Sequence, residues 1–187
     1  MQKFFRRLCW WILYKQMGWR KDITVDIPRK CIICLAPHTS NWDFAIGFLY
    51  SRAEGMTTNF LMKKEWFVGG LGAFFRHIGG IPVERCKHTR MTDSLAEAAM
   101  RSDSFVLCIT PEGTRSPNPD WKKGFYYVAL KAGIPILLYG MDYKKRVIQC
   151  TRCMVPTGNI ERDMKEIKMY FKDFIGKNPQ NFKIGEI

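Results

Sequence analysis

Lys30-Cys31-Ile32-Ile33-Cys34-Leu35-Ala36-Pro37-His38-Thr39-Ser40-Asn41-Trp42-Asp43 is the stretch on which the architecture of this 187-residue chain turns. Residues 30–36 are a compact apolar run closed by Pro37, the pattern of a buried strand. Residues 41–52 follow at once, with Phe44, Ile46, Phe48 and Leu49 among their apolar positions, and read as a helix. A strand feeding a helix through a short loop is the repeating unit of α/β domains.

Outward from this unit the alternation continues. Residues 59–62 suit a short strand and 65–76 an irregular, glycine-containing helix. Residues 79–83 lead as a strand into Glu84 and Arg85. Met91, Leu95, Ala98 and Ala99 fall on one side of a helix over 89–101, and 105–110 form a second buried strand stopped by Pro111. A helix over 125–132 is closed by Gly133, and 134–139 form a third apolar strand. Residues 146–155 suit a hairpin arm or an edge strand. Ile160, Met164, Ile167, Phe171 and Phe174 then recur at helical spacing after a cap region at 157–159. The expected fold class is α/β: a single domain with a mostly buried mixed sheet flanked by helices, preceded by an N-terminal interfacial helix. Residues 22–29, with Pro28, read as an extended or turn segment joining that helix to the body. The division this implies is an N-terminal amphipathic membrane-surface segment, 1–22, and an α/β domain, 23–187.

Composition narrows the partners. A chain that is 47% hydrophobic and 25% charged is an ordinary globular domain, so disorder is not expected. Its net charge of +13 points to an anionic partner: nucleic acid, an acidic membrane surface or a phosphorylated ligand. The seven cysteines are odd in number and partly buried in apolar runs, as for reduced thiols in a reducing compartment. Two C-x-x-C pairs, Cys31/Cys34 and Cys150/Cys153, invite a zinc reading. They lie far beyond the usual ribbon separation of roughly 15–20 residues. In strands, residues i and i+3 also point to opposite faces. No metal site is expected.

At the N-terminus, the uninterrupted apolar stretch 8–14 is far short of the ~20 residues that cross a bilayer as a helix. No small-residue cleavage site follows it. Trp10, Trp11, Tyr14 and Trp19 are types that settle at the headgroup level, and Lys3, Arg6, Arg7, Lys15 and Arg20 suit anionic lipid. The expectation is a helix lying in the interface on the cytoplasmic side, the alternative being an ordinary core helix with an exposed basic side.

The chemistry starts at His38, between a buried strand and a helix, where α/β folds place ligands. On a continuous helix Asp43 would lie about 140° away from it. The two meet only if His38 stands outside the helix and the loop folds back over its first turn, a break that Pro37 favours and that Thr39 or Ser40 can cap. Asp43 can then hold one ring nitrogen, leaving the other as a base. Among three histidines and nine aspartates such a spacing also arises by chance, and a structural His–carboxylate contact would look the same. A second cluster adds weight. Glu112, Gly113, Thr114 and Arg115 also follow a buried strand, Lys122 and Lys123 lie in the loop after them, and Arg85 ends a third strand. Gly113 permits a tight turn and Arg115 offers a planar fork for phosphate. If these strands run parallel, their ends bring a base, a carboxylate and cationic groups toward one edge of the sheet.

These residues resemble the four ordered blocks of the 1-acyl-sn-glycerol-3-phosphate acyltransferase (PlsC-like) glycerolipid acyltransferases. His38 to Asp43 matches the His-x4-Asp block. Gly80-Ile81-Pro82-Val83-Glu84-Arg85 is similar to the second block, Pro111-Glu112-Gly113-Thr114-Arg115 matches the third, and Gly133-Ile134-Pro135-Ile136 is similar to the fourth. The resemblance spans about residues 30–140. Pro37 stands where many members have Asn, and Pro82 where an aromatic is usual. The resemblance implies that His38 is the catalytic base and Asp43 its orienting carboxylate. It implies that Arg85 and Arg115, with Lys122 or Lys123, hold an acceptor phosphate, and that Glu112 and Gly113, with Thr114, shape the pocket. It further implies an acyl donor, acyl-CoA or acyl-carrier protein, a lysophospholipid acceptor, an anionic membrane surface and no cofactor. Lysophosphatidic acid, another lysolipid and glycerol 3-phosphate remain open as acceptors. Outside this class stand a basic membrane or nucleic-acid binding module without catalysis and a hydrolase. The chain has no nucleic-acid-binding motif and no Gly-x-Ser-x-Gly elbow.

Overall fold

In the computed structural model, which describes residues 2–83 and 88–186, seven strands form one sheet among the described residues. In chain order the strands are β1 (Arg20–Ile23), β2 (Lys30–Ala36), β3 (Asn59–Lys63), β4 (Gly80–Val83), β5 (Phe105–Ile109), β6 (Ile136–Asp142) and β7 (Val147–Met154). Their spatial order is β1-β7-β6-β2-β5-β3-β4. Every neighbouring pair is parallel except the β6–β7 hairpin, so the sheet is mixed. The helices are α1 (Gln2–Trp10), α2 (Asn41–Ala53), α3 (Gly69–His77), α4 (His88–Arg101), α5 (Gly124–Ala132) and α6 (Ile160–Phe171).

β2 and β6 are buried almost throughout because helices cover both faces of the sheet, which is why their sequences are continuous apolar runs without alternation. The two-residue period still sorts their side chains. Ile32, Cys34 and Ala36 join the core under α4, α5 and α6, whereas Cys31, Ile33 and Leu35 join the one under α2. Cys31 and Cys34 therefore sit in opposite cores. The described cysteines, Cys9, Cys31, Cys34, Cys108, Cys150 and Cys153, are free thiols.

Three features depart from the sequence reading. β1 begins at Arg20, inside the proposed N-terminal segment, and pairs with β7, so β7 is the inner arm of a hairpin and not an edge. Residues 65–76 are not one helix: a 3-10 turn, Lys64–Trp66, precedes α3. The last helix stops at Phe171, and Phe174 turns back over Gly140.

The N-terminal helix exposes much of its apolar surface. Phe4 is 73% and Trp10 43% accessible, while Cys9 faces inward. A π-helical turn, Trp11–Gln16, follows and buries Leu13. Trp19, expected at the headgroup level, is instead 5% accessible and packs edge-on against Tyr143 at 5.1 Å. Tyr14 turns its hydroxyl to Glu54 at 2.7 Å. The anchoring residue types thus divide, with Trp10 and Trp11 outside and Trp19 in the core. Among the described residues, no helix is long and apolar enough to cross a membrane.

Candidate active site

The crevice follows from the topology. β2 and β5 are parallel neighbours, and β2 and β6 are too, so their C-terminal ends emerge side by side. The chain leaving β2 enters α2 on one face, and the chain leaving β5 enters α5 on the other. Connections that diverge to opposite faces leave a gap at the strand ends, where α/β sheets bind ligands.

His38 stands in that gap, outside the helix that carries Asp43. Ser40 is the N-cap of α2. Its hydroxyl accepts from Trp42 N at 3.2 Å, and Asp43, at the third helical position, accepts from Ser40 N at 2.9 Å, a reciprocal capping box. Asp43 Oδ2 also accepts from Thr39 N at 2.7 Å, and Oδ1 from the Tyr143 hydroxyl at 2.6 Å. The carboxyl is 0% accessible. Burial acts to raise its pKa, but His38, the Tyr143 hydroxyl and the Ser40 N–H outweigh that and hold it below the ordinary carboxylate value. His38 Nδ1 lies 3.3 Å from Asp43 Oδ2 with the ring N–H off the line between them, so the pair is in polar contact short of an aligned hydrogen bond. Nδ1 faces the carboxylate, and Nε2 is the nitrogen left for a ligand. The imidazole is 18% accessible, enough to be reached and too little to be bathed in water.

Glu112 grips the same loop from the β5 side. Its Oε1 accepts the His38 backbone N–H at 2.8 Å, and it is 2% accessible. Burial pushes its carboxyl up to about 8; the His38 N–H opposes the rise and Asp43 adds to it. Glu112 therefore holds His38 in place by its backbone, a role the sequence does not suggest. Gly113 sits at a φ of +67°, and a Cβ there would come within 3.1 Å of Lys122 Cγ. The left-handed turn and the close lysine stem both suit glycine.

The cationic side is open. Arg115, Lys122 and Lys123 are exposed. Arg115 Nη1 donates to Asn41 Oδ1, which ties the β5–α5 loop to the first residue of α2. Thr114 Oγ1 accepts from Ser116 N at 3.2 Å within the turn. The structure thus gathers His38, Asp43, Glu112 and Arg115 at the ends of β2 and β5, with Lys122 against Gly113. Arg85 lies outside the described residues. Sequence reasoning missed Tyr143, Asn41 and Asn178. Asn178 donates its backbone N–H to Thr39 Oγ1 at 3.1 Å and its side-chain amide to Thr39 O at 2.9 Å. The signal for Tyr143 was its place just past β6, the parallel neighbour of β2. Asn178 carries no such signal.

No curated protein matches the chain. Among solved structures it is similar to the 1-acyl-sn-glycerophosphate (LPA) acyltransferase PlsC of Thermotoga maritima, at 20% identity and a TM-score of 0.62, over 91% of this chain and 75% of that one. That likeness is one of fold. The family model described as Acyltransferase matches residues 20–141, which hold the strand ends, His38, Asp43 and the Glu112–Arg115 turn. By that match the chain belongs to the acyltransferase family.

Proposed function

We propose that the protein moves a fatty acyl group from an acyl thioester, acyl-CoA or acyl-carrier protein, to the free hydroxyl of a lysophospholipid, converting lysophosphatidic acid to phosphatidic acid. The observation that carries the reading is His38, held off the helix against a fully buried Asp43, with the exposed Arg115 tied through Asn41 to the start of the same helix. His38 Nε2 takes the hydroxyl proton as the oxygen attacks the thioester carbonyl. The tetrahedral intermediate then expels the thiolate, which takes that proton from the imidazolium. Asp43 stabilises the imidazolium without itself being protonated, as in the triad logic of hydrolases. A thioester is activated enough to need no metal, and alignment of the two substrates supplies much of the acceleration. Arg115 and Arg85, with Lys122 or Lys123, hold the phosphate, and Glu112, Gly113 and Thr114 shape the floor.

A lipid acceptor stays in its bilayer, so the enzyme must reach it there. The reading places α1 at an anionic membrane surface, peripherally and on the cytoplasmic face. Exposed Phe4, Phe5, Trp10 and Trp11 support this, as do exposed Lys3, Arg7 and Lys15 along the same segment. Trp66, Val68, Leu71 and Phe74, in and just before α3, add further exposed apolar surface.

Mass spectrometry of lipids formed from lysophosphatidic acid and acyl-CoA or acyl-carrier protein tests the assignment. Phosphatidic acid is expected, with little product from a monoacylglycerol. Equal acylation of the phosphate-free acceptor would contradict the phosphate pocket, and no acylated lipid from any acceptor would contradict the activity.

A further inference from the structure

Beyond the family match, which ends at residue 141, the chain turns back onto the His38 loop. Gly176 lies so close to it that a Cβ would come within 2.7 Å of Thr39 Oγ1 and 3.1 Å of Pro37 Cβ. Asn178 reaches Thr39 through two donors, at 3.1 and 2.9 Å. Ile175 O accepts the Tyr143 N–H at 2.8 Å, and Lys177 Nζ stands 5.8 Å from the centre of the Tyr143 ring. Phe174 lies against Gly140, leaving no room for a side chain there. Residues 174–178 therefore cross from the end of β6 to the loop after β2 and touch both.

We propose that Tyr143 and Asn178 are positioning residues for the His38–Asp43 pair, and that residues 174–178 are the strap that holds them. This rests on the acyltransferase reading above. The physical argument concerns the second oxygen of Asp43. Thr39 N and Ser40 N fix Oδ2, the oxygen facing His38, but they leave the plane of the carboxylate free to tilt about that point. The Tyr143 hydroxyl, at 2.6 Å from Oδ1, removes that freedom, and the strap holds the tyrosine by its backbone and beside its ring. Asn178 does the same for the loop, since it binds both the carbonyl and the hydroxyl of Thr39, the residue after His38. Misplacing a base by about an ångström is enough to cost rate without weakening substrate binding.

The test uses the full chain with lysophosphatidic acid and acyl-CoA or acyl-carrier protein, following thiol release, with the melting temperature of each variant measured in the same preparation. Tyr143→Phe keeps the ring that packs on Trp19 and loses only the hydroxyl; Asn178→Ala keeps its backbone donor. At a temperature where wild type and variants are fully folded, both should lower kcat about fivefold to twentyfold and leave both KM values within twofold. A kcat within twofold of wild type for the folded Tyr143→Phe protein overturns the proposal. So does a raised KM at unchanged kcat, which would place the tyrosine in substrate binding. A wild type that releases no thiol overturns the acyltransferase reading and this inference with it, whereas an active wild type matched by its variants overturns the inference alone.

Discussion

Two loops meet over the ends of β2 and β5, and they differ in how they hold their candidate site side chains. The loop at 37–43 is tied at nearly every residue: Glu112 holds His38, Asn178 holds Thr39, and the Thr39 and Ser40 N–H groups and the Tyr143 hydroxyl hold Asp43. The loop at 113–123 presents Arg115, Lys122 and Lys123 to solvent, with Asn41 as the tie on Arg115 from the facing loop. A base must be in place before the substrate arrives, because a poorly oriented imidazole loses rate at every turnover. Cations that bind a phosphate lose little by waiting in water, since screening makes them cheap to leave unpaired. On the proposed reaction the first loop is suited to chemistry and the second to capture.

The comparison breaks most visibly at His38. Replacing it with Ala should lower kcat by about 10²- to 10⁴-fold, the usual share of a positioned base, and leave the KM for lysophosphatidic acid nearly unchanged. On the other loop Arg115→Ala should raise that KM about tenfold with kcat nearly intact, since charge-assisted bonds to phosphate contribute about 1.5–3 kcal/mol before solvent screening. The rise should shrink at high salt. If Arg115→Ala lowers kcat alone, capture is not its task.

A smaller effect lies on the exposed aromatics. The pair Trp10→Ser and Trp11→Ser should weaken co-sedimentation with phosphatidylglycerol vesicles by a few-fold, since interfacial binding scales with buried apolar area. Undiminished co-sedimentation would remove α1 from the membrane contact.

An effect of another kind, on stability and not on turnover or membrane binding, concerns Glu112, whose carboxyl is raised from the ordinary 4.5 to about 8. A folded state that holds this proton more tightly than the unfolded chain is favoured at low pH. The stability it contributes is fully present below about pH 4.5 and is lost as pH rises toward 8. Urea midpoints of the wild type should therefore fall between pH 5 and pH 8.5 (~3.5 units apart) by more than those of Glu112→Gln, which keeps the acceptor for His38 N–H without the charge. Equal falls in both proteins would sink the assignment of a buried, protonated Glu112.

Much of this was legible in the sequence because it is local. The apolar runs of β2, β5 and β6 announce a buried sheet, and the spacing from His38 to Asp43 lets the two meet only if the histidine leaves the helix. Other contacts were not legible because they are made across the fold. Tyr143 is 100 residues from Asp43 and Asn178 139 from Thr39, and no period or motif links them. β1 was hidden for a different reason. Arg20, Lys21 and Asp22 are exposed and polar, so the strand exists through its backbone pairing with β7 and not through an apolar face. Trp19 shows the limit of residue type, since the same side chain that suits a headgroup also suits the Tyr143 ring.

The division of labour between the two loops is tested most directly by titrating lysophosphatidic acid against wild type, His38→Ala and Arg115→Ala at saturating acyl-CoA or acyl-carrier protein, with released thiol as the readout. The account predicts that His38→Ala loses kcat at constant KM and that Arg115→Ala raises KM at nearly constant kcat. A His38→Ala protein that releases thiol at the wild-type rate would contradict it.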